Sequence, residues 1–207
     1  MSTEIDHLIV AADTLEAGVA WCESTLGVTP LPGGQHALMG THNRLLNLSS
    51  PAFPACYLEI IAIDPAAPPP GRARWFGLDQ RPPGPPALVH VVARSRLLDM
   101  HRWGLINKGI DPGVPVAASR GDLRWQILLR PDGQLPGAAP TLIQWDGPHP
   151  ADRLPDSGLR LQSVVLDGLA APARDVLRLR GVKGEPGGAV RWTVTLDTPL
   201  GPRTLQS

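Results

Sequence analysis

The sequence predicts an α+β protein in which two paired β-α-β-β-β modules form a curled mixed sheet around a cleft, followed by a C-terminal β-α-β-β extension. Three observations predict this. A strand–helix–strands pattern runs through residues 1–64 and starts again at residue 87. A Pro-rich break at residues 65–86 separates the two runs. Polar residues recur at matching places inside the apolar strands of both.

The elements follow in order. Residues 4–11 alternate and are rich in β-branched residues, which predicts a strand with His7 on one face beside Ile5 and Ile9. Asp13-Thr14-Leu15-Glu16 predicts a helix start, with Asp13 as the cap. Leu15, Val19, Cys22 and Leu26 share one helical face, and Gly27 ends the helix. Residues 28–42 are Gly-rich and irregular. Strands are expected over 43–48 and 57–63, the second placing Glu59 with Tyr57 and Ile61. Residues 65–86 hold eight prolines and read as a linker or long surface loop. Within it, Trp75-Phe76 either covers a core edge or lines a ligand site. The second module, 87–150, opens with a strand at 87–94. A helix over 95–108 follows, with Leu98 and Leu105 buried and Gly109 as its stop. Strands at 123–130 and 141–146 flank the turn Pro131-Asp132-Gly133. Residues 151–207 form the extension, with strands at 159–166 and 190–196, a helix at 171–179 and a last short strand after Thr198-Pro199.

Composition narrows the function classes. The 207 residues suffice to bury a core. Lys plus Arg and Asp plus Glu both number 19, with no basic block, so neither nucleic acid nor an anionic membrane is an expected partner. Residues 1–64 nevertheless carry seven acids and one base, Arg44, whereas residues 65–150 carry more bases than acids. The start MSTEIDHLIVAA lacks a basic leader, so a cytoplasmic protein is expected. Cys22 and Cys56 read as two core thiols, with a bridge between them left open.

The repeat carries the chemistry. His7 is followed by Trp21, Gly27 and Glu59; His90 is followed by Trp103, Gly109 and Gln144 at nearly the same spacings. A buried His or Glu needs a hydrogen bond, a charge or a metal. Two imidazoles, a carboxylate and an amide oxygen suit a divalent ion such as Zn, Mn, Fe, Co or Ni. The plainer alternative makes each a satisfied core residue. Around the third strand, His36, His42, Asn43 and Arg44 cluster. Arg44 either forks a substrate anion or pairs with an internal acid. His42 or Asn43 reaches the cleft, depending on register. Trp125 and Trp145 wall a pocket or fill the core, His149 sits at a cleft mouth or in solvent, and His101 is structural. No phosphate loop or nucleophile elbow occurs.

The segments IDHLIVAADTLEAGVAW, GTHNRLLNL, YLEIIAID, LVHVVA and PTLIQWDGPHPADRLPDSG resemble glyoxalase-like members of the vicinal oxygen chelate superfamily. The resemblance covers about residues 4–160. It implies modules curled around a cleft and a divalent metal held by His7, Glu59, His90 and Gln144. It also implies lyase or isomerase chemistry on a small carbonyl or vicinal-oxygen compound, by Lewis-acid polarisation and enolate stabilisation. Glyoxalases of the family usually place a carboxylate where Gln144 stands, so Glu59 is left as the catalytic base. Asn43, His42, Arg44 and Trp125 are the expected substrate contacts. Two alternatives remain open. One is metal-free sequestration of a small molecule, with His7 paired to Glu59. The other is a ring-cleaving non-haem iron dioxygenase, against which the ligand order His, Glu, His counts. A homodimer is also left open.

Overall fold

The computed structural model describes residues 2–207. The first module is β1 (Glu4–Ala11), α1 (Leu15–Leu26), β2 (Leu31–His36), β3 (Thr41–Asn47) and β4 (Tyr57–Ile63). The second is β5 (Ala87–Arg94), α2 (Leu98–Ile106), β6 (Val114–Arg120), β7 (Leu123–Leu129) and β8 (Thr141–Trp145). The extension holds β9 (Arg160–Asp167), α3 (Ala171–Leu177), β10 (Val182–Lys183), β11 (Arg191–Asp197) and β12 (Arg203–Gln206). It thus carries one short strand, β10, more than its sequence predicts.

Strands of the first two modules form one curled mixed sheet in the order β2-β3-β4-β1-β5-β8-β7-β6. The pairs β1/β4 and β5/β8 are parallel, and β1/β5 joins the modules antiparallel at the centre. A second sheet, β10-β9-β11-β12, belongs to the extension.

The caps differ slightly from expectation. Thr14, rather than Asp13, caps α1, its hydroxyl accepting from Ala17 N–H at 3.1 Å. Asp13 instead anchors the Pro-rich strap through Arg81 and Gly84 N–H. Gly27 ends α1 at φ +75, in the left-handed region that glycine tolerates without a Cβ clash. The helix buries Leu15, Gly18, Cys22 and Leu26 against the sheet. Gly18, not Val19, is the close-packed position, because a Cβ there would lie 2.4 Å from Ile60. Ser95 precedes α2 rather than starting it, its Oγ accepting from Leu97 N–H.

Two apolar layers result. On the outer face Leu8, Val10, Leu58, Ile60, Val91 and Leu142 pack with Cys22 and Leu26 of α1 and Leu105 of α2. The extension joins this same layer through Leu161, Val164, Leu177, Trp192 and Val194. Inside the curl, Ile9, Ile61, Val92, Ile127 and Ile143 meet Trp75 and Phe76. The strap therefore turns its aromatic pair inward, with Phe76 at φ +59. Both cysteines are free and buried. Burial pushes the Cys22 thiol up to about 12, and raises that of Cys56 as well.

Candidate functional site

The site begins with a bulge. Ile5 pairs Ala93 and His7 pairs Val92, so Asp6 is an extra residue in β1. Strict alternation would put Ile5 and His7 on one face. Instead Ile5 packs in the outer layer, while His7 turns into the curl. The bulge also frees Asp6 to reach sideways. Its fully buried carboxylate accepts from His7 Nδ1 at 2.6 Å, Trp145 Nε1 at 3.0 Å and His149 Nε2 at 3.0 Å. Burial alone would raise the Asp6 carboxyl, but the bonds from His149 and His7 outweigh it and hold the group well below the usual range.

Those bonds set tautomers. His149 Nδ1 accepts from Ala151 N–H at 3.1 Å, so its proton sits on Nε2, toward Asp6. His7 gives its Nδ1 proton to Asp6 and aims Nε2 at Glu59 Oε2, 3.5 Å away. Tyr57 stacks on the His7 ring at 4.6 Å between centroids.

Glu59 is buried and accepts from Asn43 Nδ2 at 2.5 Å. Asn43 Oδ1 accepts in turn from Gly34 N–H at 2.8 Å and from Arg120 at 3.0 Å. His36 completes the group, with Nδ1 on Thr41 Oγ1 at 3.1 Å and Nε2 3.4 Å from both Asn43 Nδ2 and Arg120 Nη1. Burial brings His36 down to about 4, the nearby Glu59 opposing only in part. Among the described residues Arg120 makes no ion pair, and its guanidinium rests on Asn43 and His36 beside Glu59. It arrives from the end of edge strand β6, which the curl brings against edge strand β2.

The space between these side chains is about 30 Å³, room for about one water. His7, Glu59, Asn43, His36 and Arg120 form its polar side, and Trp75, Phe76, Trp125 and Trp145 its aromatic side. Glycine is required at position 33, since a Cβ there would lie 2.0 Å from Asn43 Oδ1. Gly33→Ala is expected to displace Asn43 and cost about 1–3 kcal/mol. Denaturant unfolding checks this; an unchanged midpoint refutes it.

Several expected site residues lie elsewhere. In β8, Thr141, Ile143 and Trp145 face the curl, whereas Gln144 points outward with Leu142. Its Oε1 accepts from Leu98 N–H at 3.0 Å and caps α2. Gln144 is therefore not a partner of His7. Strand register shows why. Glu59 pairs with Ile9, two residues after His7, and Thr141 pairs with Val92, two residues after His90. Thr141, not Gln144, is the counterpart of Glu59. In β3, Asn43 faces inward, while His42 and Arg44 face outward on the side of α1, where both act on Glu16. Neither reaches the cleft, because strand neighbours of Asn43 must point the other way. Trp125 does line it, 5.2 Å from Trp145.

The implied divalent metal meets a poor set of donors. His90 faces the curl, but its Nε2 accepts from Thr141 N–H at 3.0 Å and contacts Thr141 Oγ1 at 3.0 Å. Its ligating lone pair is thus engaged. Burial, aided by nearby His7, takes this ring down to about 3. A threonine stands in the fourth place. Among the described residues, no three His, Cys, Asp or Glu side chains converge as a metal site. The four-ligand centre implied by resemblance does not fit these residues.

Asp6, His36, Arg120 and the His149 bond to Asp6 complete the constellation. The Asp6 role has no signal in strand periodicity, since it depends on the bulge. Arg120 is the eighth of ten bases in residues 65–150 and gains its position only when the sheet edges meet.

A family model described as a glyoxalase-like domain matches residues 5–176. No curated protein sequence matches the chain. Among solved structures, a hypothetical protein from Staphylococcus aureus is 14% identical, with a TM-score of 0.54 over 80% of this chain and 69% of that one. Methylmalonyl-CoA epimerase from Mycobacterium tuberculosis is 20% identical, with a TM-score of 0.42 over 70% of this chain and 88% of that one. A Streptomyces coelicolor methylmalonyl-CoA epimerase variant in complex with 2-nitronate-propionyl-CoA is 18% identical, with a TM-score of 0.46 over 72% of this chain and all of that one. Among the described residues, no helix is long and apolar enough to cross a membrane.

Proposed function

The chain belongs to the glyoxalase-like domain family, and on that premise we propose that its cleft moves a proton on a small carbonyl compound, as a lyase or isomerase. One observation carries the reading. A buried carboxylate, Glu59, faces the Nε2 of a histidine whose other nitrogen is locked by Asp6. Buried acid–base pairs of this kind suit proton transfer at carbon.

The roles follow from the geometry. Glu59 Oε2 takes a proton from the carbon next to the carbonyl. The C–H electron pair passes into an enolate, and its oxygen carries the new charge. Arg120, the cation without a carboxylate partner, faces that charge. The protonated Glu59 then returns its proton to carbon as the carbonyl re-forms, or, where the enolate expels a β substituent with its bonding pair, gives that proton to the departing group, and either route restores the Glu59 carboxylate. Asn43 holds Glu59 in place, and Asp6 holds the His7 tautomer. Substrate entry displaces Arg120 from Asn43 and His36, because the space beside them admits about one water. A divalent ion, if one enters, would meet Glu59 with His7 Nε2 at 3.5 Å from one oxygen and His36 Nε2 at 3.9 Å from the other, a set that does not converge as a metal site among the described residues, and no step above runs through it.

The test is solvent deuterium exchange, followed by proton NMR, over a panel of small hydroxyketones, hydroxyaldehydes and 2-oxo acids. Exchange with at least one compound is expected, falling by about 100-fold or more in Glu59→Gln. No exchange above buffer across the panel, or exchange untouched in Glu59→Gln, sinks the reading. The aromatic wall of Trp75, Phe76, Trp125 and Trp145 favours a second reading, sequestration without turnover. Ligand binding that persists in Glu59→Gln without any exchange would select it.

A further inference from the structure

A larger cavity, about 760 Å³, opens elsewhere on the molecule, and it is not the cleft. Glu4, Arg94, Arg96 and Arg180 line it together with Leu97, Trp145 and His149. Its charged lining is three arginines against one carboxylate, Glu4. Arg94 is fully engaged. It donates to Glu4 and to the backbone carbonyls of Ile5, Ala55 and Pro54. Arg180 gives only Nη1 to Glu4, at 2.5 Å. Arg96 is exposed and makes no ion pair among the described residues. Two guanidinium groups therefore retain free donors toward one cavity, and the single acid is already shared between Arg94 and Arg180. The volume lies within the range of small-molecule sites, which combine a few placed polar groups with apolar walls. Trp145 and Leu97 supply such walls here.

We propose that this cavity is a second binding site, for a small organic anion. Its phosphate or carboxylate oxygens meet Arg96 and Arg180 in charge-assisted hydrogen bonds. Its apolar body lies on Trp145 and Leu97. The site backs onto the cleft through shared groups. Trp145 lines both spaces, and His149 lines this one while donating to Asp6, whose other oxygen holds His7. An occupant touching Trp145 or His149 would thus press on the group that orients His7.

Calorimetric titration at low salt with phenyl phosphate, benzoate and neutral benzyl alcohol tests the proposal. At least one anion is expected to bind, and benzyl alcohol to bind about tenfold more weakly or not at all. Arg96→Ala, a change at an exposed side chain that the fold tolerates, is expected to weaken the anion about tenfold. Arg180→Ala should do the same, while Glu59→Gln leaves affinity unchanged. Preference for phenyl phosphate supports a phosphate-ester occupant, and preference for benzoate a carboxylate. Failure of both anions to bind overturns the proposal. So does equal binding of the alcohol, full affinity in Arg96→Ala, or weakening by Glu59→Gln, which would place the ligand in the cleft.

Discussion

Acidification from about pH 6.5 to about pH 5 is expected to remove about 3 kcal/mol of folding free energy, a large share of a typical domain's stability. The cause is two buried imidazoles. His36 titrates at about 4 and His90 at about 3 in the folded protein, both lowered by burial. Unfolded histidine titrates at about 6.5. A lowered folded value means that the unfolded chain takes up protons first. Stability is thus complete above the unfolded value and drains as pH falls toward the folded ones. Two protons correspond to about 3 kcal/mol per pH unit. Urea unfolding at intervals across this range measures the slope. His90→Gln, which retains an acceptor for Thr141 N–H, should reduce it to about one proton. A midpoint flat between these pH values would show that neither ring is held neutral.

The second large effect is expected at Asp6. Asp6→Ala removes the shared acceptor of His7, Trp145 and His149, leaving two buried imidazole donors and one half-buried indole donor without a partner. Loss of one member of a buried charged network costs about 3–5 kcal/mol. Asp6→Asn keeps an amide oxygen and should cost less. Because the folded Asp6 carboxyl titrates below its ordinary value, its contribution is full above the unfolded value of about 3.9 and is lost as pH falls below it. Thermal unfolding at neutral pH separates the variants. An Asp6→Ala melting point within about 2 °C of the parent would refute the role, since even 1 kcal/mol shifts a domain of this size by about 2–4 °C.

Much of this was legible in the sequence. The strand 57–63 stands as expected, and β1, β5, α1 and the two-module plan lie close to expectation. The apolar runs that produce them are long, and their periods are unambiguous. His7 and Glu59 face each other because both sit on inward positions of central strands. What alternation does not reveal is which face a polar residue prefers. Gln144 matches Glu59 by spacing from the paired histidines, yet strand register makes Thr141 the counterpart of Glu59. Gln144 is content on the outer face because an uncapped helix end, Leu98 N–H, is there to meet it. His42 and Arg44 likewise find α1 on their side. The bulge at Asp6 shifts parity within a single strand, so Ile5 and His7 part company. Contacts such as Arg120 to Asn43 join residues 77 positions apart and depend on how far the sheet curls.

The central position of β1 has a consequence for synthesis. Its parallel partner, β4, begins at Tyr57, and its antiparallel partner, β5, ends at Arg94, paired to Glu4. On a ribosome adding about 5–20 residues per second, the first strand waits on the order of ten seconds for its second neighbour. Through that interval the apolar edge of Leu8, Ile9 and Val10 has one side unpaired, the kind of edge that invites pairing with another chain. The nascent first module is thus the aggregation-prone species, and a chain released before residue 94 would carry that open edge permanently.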